Sequence, residues 1–149
     1  MEDLSLHILD IVENCINAKA TRVRVAIVED IANDLLTIEI EDNGVGMNEE
    51  TLKRATDPFF TTRTTRRVGL GFSLLKQATQ ESNGSFEIES KVGKGTRITA
   101  TFQHSHIDRK PLGDIESTIT TLITGYPDIN FIFEYRSDDT NFVLDTSKI

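Results

Sequence analysis

The reading of this chain turns on the stretch Leu36-Thr37-Ile38-Glu39-Ile40-Glu41-Asp42-Asn43-Gly44-Val45-Gly46. Its first six residues alternate apolar with polar, the period of a strand with one covered face. Ile38, Ile40 and Asp42 share one parity and therefore one side of that strand. Asp42 thus points where the isoleucines point, towards the core. A carboxylate in that position is expensive unless something donates hydrogen bonds to it. Gly44 and Gly46 permit a tight turn and a close approach to the backbone. Chance supplies a D-x-G-x-G match in roughly one chain of this length in twenty-five, so its weight depends on the surrounding sequence.

Upstream, residues 4–19 are expected to be helical. Ile8, Ile11, Val12, Cys15 and Ile16 follow the spacing of one buried stripe. Asp10, Glu13, Asn14 and Asn17 form a second, polar stripe on the other side. Arg22–Glu29 alternates like Leu36–Asp42, and both are read as strands. Downstream, Asn48 can cap a short helix with Glu49 and Glu50 in its first turn. Residues 56–68 carry no apolar period and are read as a loop. A helix is expected from Leu70 to Ser82, with Leu70, Leu74, Leu75 and Ala78 inward, ended by Asn83-Gly84. Strands follow at Ser85–Ser90 and Thr96–Phe102 around a turn at Val92–Gly95. A softer boundary lies at Gln103–Pro111. Beyond it Pro111 can open a helix with Ile115, Ile119, Leu122 and Ile123 on one side. Strands at Ile129–Arg136 and Asn141–Asp145 then flank a turn at Ser137–Thr140. The domain reading is a core over residues 4–102 and a helix-strand-strand extension over 103–149 within the same domain. Phe131, Phe133 and Tyr135 share a face, which extends that core or forms a docking surface; the first is preferred.

The chain has 149 residues, enough for one domain with a core of its own, and a net charge of −8. That charge argues against non-specific binding to nucleic acid or to an anionic membrane. No apolar run approaches the roughly 20 residues of a membrane span. The start, Met1-Glu2-Asp3, lacks the layout of a secretory signal. A lone cysteine, Cys15, is compatible with a reducing compartment, and the expected location is the cytoplasm.

Three further features can carry chemistry. A hydrated outer face is the ordinary reason for a polar helix stripe. Here, however, the stripe holds two asparagines, and Asn14 offers a neutral oxygen suited to Mg²⁺. Asp10, one turn earlier, could orient a water or an attacking hydroxyl. Gly69-Leu70-Gly71-Phe72-Ser73 opens a helix, where free N–H groups suit phosphate oxygens. It follows Arg63, Arg66 and Arg67, either solvated loop arginines or part of a mobile lid. Gly93-Lys94-Gly95-Thr96 leads into a strand that brings Thr96 to the interior reached by Asp42. An exocyclic amine of a nucleobase would be a suitable donor for that carboxylate.

Taken in order, these motifs resemble the GHKL ATPase superfamily of gyrase B, Hsp90, histidine kinases and MutL, over about residues 4–102. Asp10–Thr21 is similar to the N box, most closely in the MutL style, and Asp42–Gly46 to the G1 box. Asp57–Arg63 is similar to the F box of histidine kinases, Gly69–Phe72 to the G2 box, and Gly93–Thr96 to the final G-x-G-T. The resemblance implies an α/β (α+β) two-layer sandwich, a mixed sheet with helices on one face. It implies ATP and Mg²⁺ as ligands, with Asn14 on the metal and Asp42 accepting from the adenine amine, assisted by Thr96. Gly44 and Gly46 would make room for the nucleotide; Gly69, Leu70 and Gly71 would line the triphosphate, with Arg63 near it in the lid. Asn17, Met47 and Phe59 complete the implied nucleotide-binding set, and Asp10 is the candidate catalytic residue. Two departures stand out. Hydrolytic members usually carry Glu where this chain has Asp10, a carboxylate set back by roughly 1.5 Å, and ~1 Å of misplacement can already cost about a hundredfold in rate. Phe72 gives G-L-G-F rather than the commoner G-L-G-L, a change of side-chain fit alone.

The preferred functional expectation is a stand-alone kinase-type module that binds ATP or ADP and passes the γ-phosphoryl to a partner protein, on His or on Ser/Thr. The alternative is a nucleotide-dependent binding switch with little turnover. No nucleic acid or membrane partner is expected, and a homodimer is compatible. His7, His104 and His106 are read as structural or solvated.

Overall fold

The computed structural model describes residues 3–56, 67–107, 109 and 111–148, with the backbone alone for residues 54–56, 67–71, 73 and 148. The elements run α1 (Leu4–Asn17), β1 (Arg22–Asp30), β2 (Leu35–Asp42), α2 (Glu49–Thr56), α3 (Arg67–Glu81), β3 (Ser85–Lys91), β4 (Gly95–Gln103), α4 (Ile115–Gly125), β5 (Asn130–Arg136), β6 (Asn141–Asp145) and a closing 3₁₀ turn (Thr146–Lys148). The strands form one six-stranded sheet in the order β3-β4-β2-β1-β5-β6. All neighbours are antiparallel except β1 and β5, which run parallel, so the sheet is mixed.

Strand alternation divides the sheet into two faces. Val23, Val25 and Ile27 of β1, Leu36, Ile38 and Ile40 of β2, and Ile98, Ala100 and Phe102 of β4 are buried beneath the helices. From α1 come Leu4, Ile8, Ile11 and Val12, and from α3 Phe72, Leu75 and Ala78. A side chain of this size contributes roughly 1.5–3 kcal/mol when buried. The face away from the helices is polar. There Arg24 bridges three strands, at 2.5 Å from Glu39 on β2 and 2.6 Å from Glu134 on β5. Those two carboxylates hold the Arg24 guanidinium firmly in its charged form.

Phe131 and Phe133 are 0% and 4% exposed and lie against this core, their ring centroids 5.6 Å apart. Those two rings are therefore covered by the core rather than presented to solvent, while Tyr135 on the same face is half-buried.

Three boundaries differ from the sequence expectation by two residues or more. The helix expected at Leu70 begins at Arg67, so the start of α3 precedes both of its glycines. The helix expected at Pro111 begins instead at Ile115, where the Asp114 carboxylate accepts from Ser117 N at 2.9 Å. Residues Pro111 and Leu112 serve another end: their carbonyls accept from Leu4 N (2.8 Å) and Ser5 N (2.9 Å) in the first turn of α1. Those are N–H groups for which a helix has no internal partner. Finally, α1 stops at Asn17 because Lys19 takes a left-handed φ of 69°.

One polar cluster sits at the end of the sheet distant from the D-x-G-x-G turn. Tyr135 donates to Glu29, and His104 Nε2 lies 2.9 Å from the other Glu29 oxygen. Burial works against the charge on Glu29, but these hydrogen bonds, with the nearby His104 and Arg109 charges, outweigh it and hold the carboxyl below its ordinary value. A depressed folded pKa stabilises the protein above the unfolded value and ceases to do so as pH falls through the folded one. Glu29→Gln is therefore expected to lose stability at neutral pH and to flatten the acid limb below about pH 4.5. Urea titrations across pH 3–7 check this on the ~1 kcal/mol scale of one hydrogen bond; parallel acid limbs for the two proteins would reject it.

Candidate functional site

Three adjacent strand ends define the site. Asp42 of β2 is the register partner of Thr96 on β4, and Thr96 that of Ser90 on β3. The three side chains form a polar row at one end of the sheet, one pleat beyond the apolar row Ile40, Ile98 and Ile88. The turn after Asp42 explains how a carboxylate comes to rest there. Asp42 is only 9% exposed, and its Oδ1 accepts from Gly44 N at 2.7 Å. Asn43 faces away and clamps the start of β1, accepting from Thr21 N and Arg22 N at 2.9 and 3.0 Å. Val45 N then donates to Ala18 O at the end of α1 (2.8 Å), and Gly93 N from the β3–β4 turn donates to Val45 O (2.7 Å). The D-x-G-x-G turn is thus fastened to α1 on one side and to the G-x-G-T turn on the other.

Gly44 and Gly46 were expected to make room for a ligand, but their first constraint is the chain itself. A Cβ on Gly44 would lie 2.6 Å from Ala18 O. On Gly46, at φ +72°, it would lie 1.9 Å from Lys91 O. The glycines allow three backbone segments to meet, and that meeting places Asp42.

Between this row and α1 lies a cavity of about 240 Å³. Of the residues singled out from sequence, Asn14, Asn17, Asp42, Gly46, Met47 and Thr96 line it. Asn14, one turn beyond Asp10 on α1, is itself buried. Asp10 is half-buried and is not among the lining residues, nor is Gly44. Gly69, Leu70 and Gly71 belong to the opening turns of α3. Phe72, which follows them, reaches the cavity wall and so brings the start of α3 beside it. Phe59, Arg63 and the rest of the F-box stretch lie outside the described residues.

Sequence reasoning missed Cys15, Phe72, Ile98 and Ser90. Cys15 and Ile98 were read as inward-facing apolar positions and Phe72 only as the last residue of the G2 box; all three serve the core, and their position at its edge makes them cavity wall. The Cys15 thiol is pushed well above its usual value by burial and by the Asp42 charge, so it is a neutral wall group rather than a nucleophile. Ser90 carried a signal, its shared parity with Ile88, but its importance depends on a register that only pairing reveals.

Fold and cavity together define an α+β sandwich with a cavity where a helix meets three strand ends. Residues 2–106 match the family model for histidine kinase-, DNA gyrase B-, and HSP90-like ATPases, and the chain belongs to that family. It is 38% identical to a putative sensor protein of Shewanella frigidimarina over 97 residues, which are 64% of this chain and 15% of that protein. It is 30% identical to the non-motile and phage-resistance protein of Caulobacter vibrioides over 112 residues, 69% of this chain and 13% of that one. With sporulation kinase E of Bacillus subtilis it shares 41% identity over 63 residues, 42% of this chain and 8% of the kinase. The matched regions therefore span less than a sixth of each relative. Among solved structures, the Aquifex aeolicus MutL ATPase domain complexed with ADP superposes with a TM-score of 0.59 at 19% identity, covering 97% of this chain and 63% of that one. At that identity the likeness is one of fold, and its coverage takes in α4, β5 and β6 beyond the family match.

Proposed function

We propose that this chain binds MgATP in the cavity between α1 and the Asp42–Thr96–Ser90 row and passes the γ-phosphoryl to a separate protein. The observation that carries the reading is the placement of Asp42 and Thr96 opposite Asn14 around one cavity. Asp42 offers a carboxylate oxygen to the exocyclic amine of adenine, and Ile98, Phe72 and Met47 supply apolar wall for the ring. Triphosphate leaving that pocket would run past Asn14 towards the start of α3, where N–H groups without helical partners favour anions.

Mg²⁺ fits this site in a limited way. Among the described residues no three His, Cys, Asp or Glu side chains form a metal-binding group. Mg²⁺ does not require one, since it commonly takes one or two protein oxygens together with phosphates and waters. Asn14 is the residue that would hold it, and the ion would neutralise phosphate charge. In the transfer the bond from the β–γ bridging oxygen to the γ-phosphorus breaks and a bond to the acceptor forms, on a His nitrogen or a Ser/Thr oxygen, with ADP leaving. Asp10 would take up or orient the acceptor proton. The similarity to sporulation kinase E supports transfer to protein. ATP supply places the reaction in the cytoplasm. Residues 103–149 belong to the same domain in this reading, because β5 completes the sheet beside β1.

A second reading, a nucleotide-dependent binding switch, is favoured by one observation. Asp10 is a short carboxylate and does not line the cavity. Incubation with γ-labelled ATP in extract of the native host separates the two, and label is expected on one protein. Label on no protein would reject transfer. Equal partner affinity with and without nucleotide would reject the switch, since a ligand shifts an equilibrium only through differential affinity.

A further inference from the structure

Resting on the nucleotide-site reading, we infer that Ser90 is a positioning residue that makes the base-binding wall acceptor-only and so selects a 6-amino over a 6-oxo purine. Three groups converge on the Ser90 hydroxyl. Met47 N is 2.8 Å away and can only donate. Gly95 O is 3.0 Å away and can only accept. Thr96 Oγ1 is 2.7 Å away and can do either. A serine hydroxyl has one proton and two acceptor positions. One arrangement satisfies all three contacts: Ser90 accepts from Met47 N, donates to Gly95 O, and accepts from Thr96.

Thr96 then has its single proton committed to Ser90. What it presents to the cavity is lone pairs. Its register partner on the other side is Asp42, which presents carboxylate oxygens and whose Oδ1 already accepts from Gly44 N. Both groups facing the ring edge are acceptors. An amino group at purine position 6, with two N–H donors, matches them directly or through a water. A carbonyl at that position would meet only oxygen lone pairs.

The discrimination therefore depends on a residue that is absent from the cavity lining and acts through Thr96. Without Ser90 the Thr96 hydroxyl is free to turn and donate, and a 6-oxo purine gains a partner. Ser90 also holds Met47 N, in the turn before α2, so its loss has a structural component. That component weakens all nucleotides alike and leaves their ratio unchanged.

Titration calorimetry of the full chain with MgATP and with the 6-oxo analogue MgITP tests the inference. Wild type is expected to favour ATP. Ser90→Ala is expected to narrow the ATP-to-ITP ratio by about tenfold, the worth of one directed hydrogen bond, and Ser90→Thr, which keeps the hydroxyl, to preserve it. Should Ser90→Ala fail to fold, Thr96→Val is the substitute, and it is expected to narrow the ratio likewise. A wild-type ratio in a folded Ser90→Ala, or in Thr96→Val, overturns the inference and leaves the ATP site standing. Absence of ATP binding by wild type would remove both.

Discussion

Asp42→Asn is expected to weaken MgATP binding by about a hundredfold while leaving the fold intact. The substituted amide is the same size, and its oxygen can still accept from Gly44 N, the bond that shapes the turn. Its nitrogen then faces the cavity. A donor replaces an acceptor opposite the adenine amine, which both removes a charge-assisted hydrogen bond and sets two donors against each other. Sites built to hydrogen-bond a particular ligand group reject a mismatch strongly for this reason. The apo protein should be no less stable, because a buried carboxylate is exchanged for a neutral group. Titration calorimetry, with circular dichroism on the same sample, reads both halves. Binding within threefold of wild type would remove Asp42 from the base-recognition role.

The second large effect concerns the turn that faces Asp42. Gly95 has a φ of +106°, and a Cβ there would lie 2.0 Å from Asp42 O and 3.0 Å from the Asn43 Cα. These are backbone atoms held by the sheet, so no side chain can rotate away to relieve the clash. Gly95→Ala is expected to cost about 4 kcal/mol or more, at the upper end for single substitutions, from overlap and left-handed strain together. Gly93, two residues earlier, has a similar φ of +81° but nothing within 4 Å of its Cβ position. Gly93→Ala should therefore show strain alone, roughly 1–2 kcal/mol. Urea unfolding of the pair, compared at constant slope, measures the difference. Equal midpoints would mean that the close approach to Asp42 is not what Gly95 provides.

The contrast between these two glycines shows what can be read from sequence here and what cannot. Parity alone placed Asp42 inward, because a strand alternates with period two and Ile38 and Ile40 fixed its phase. The helical period of α1 put Asn14 on the polar stripe opposite the apolar one, and that stripe turns out to face the cavity. Both are local patterns, and both side chains are buried around the cavity. Gly93, Gly95, Gly44 and Gly46 look alike in sequence, yet three of them are crowded by backbone from distant segments and one is open. No local pattern carries that information. Ser90 was missed for the same reason: its partners Met47 and Thr96 arrive by pairing, not by sequence neighbourhood. The α4 start was misplaced because proline at a first helical position is a real preference, but Asp114 is the stronger cap. Pro111 was instead recruited by the unpaired N–H groups of α1.

That recruitment bears on the order in which the molecule can form. β1 pairs with β2 and β3 with β4 locally, and β2 meets β4 once residue 103 has been made, so the Asp42–Thr96–Ser90 row can assemble before α4 and β5 are synthesised. α1 and β1 cannot be finished then. The N–H groups of Leu4 and Ser5 wait for Pro111 and Leu112, and Arg24 waits for Glu134, 110 residues later. Until β5 arrives, β1 is an edge strand with unpaired backbone and apolar Val23, Val25 and Ile27, the kind of edge that recruits other chains. Long-range parallel pairing is also the slow kind, since the entropy of closing so large a loop is spent before the contact rewards it. The nascent protein thus holds most of the α1–β2–β4 cavity while its sheet is still open at β1, and in that interval the unpaired edge is exposed to other chains.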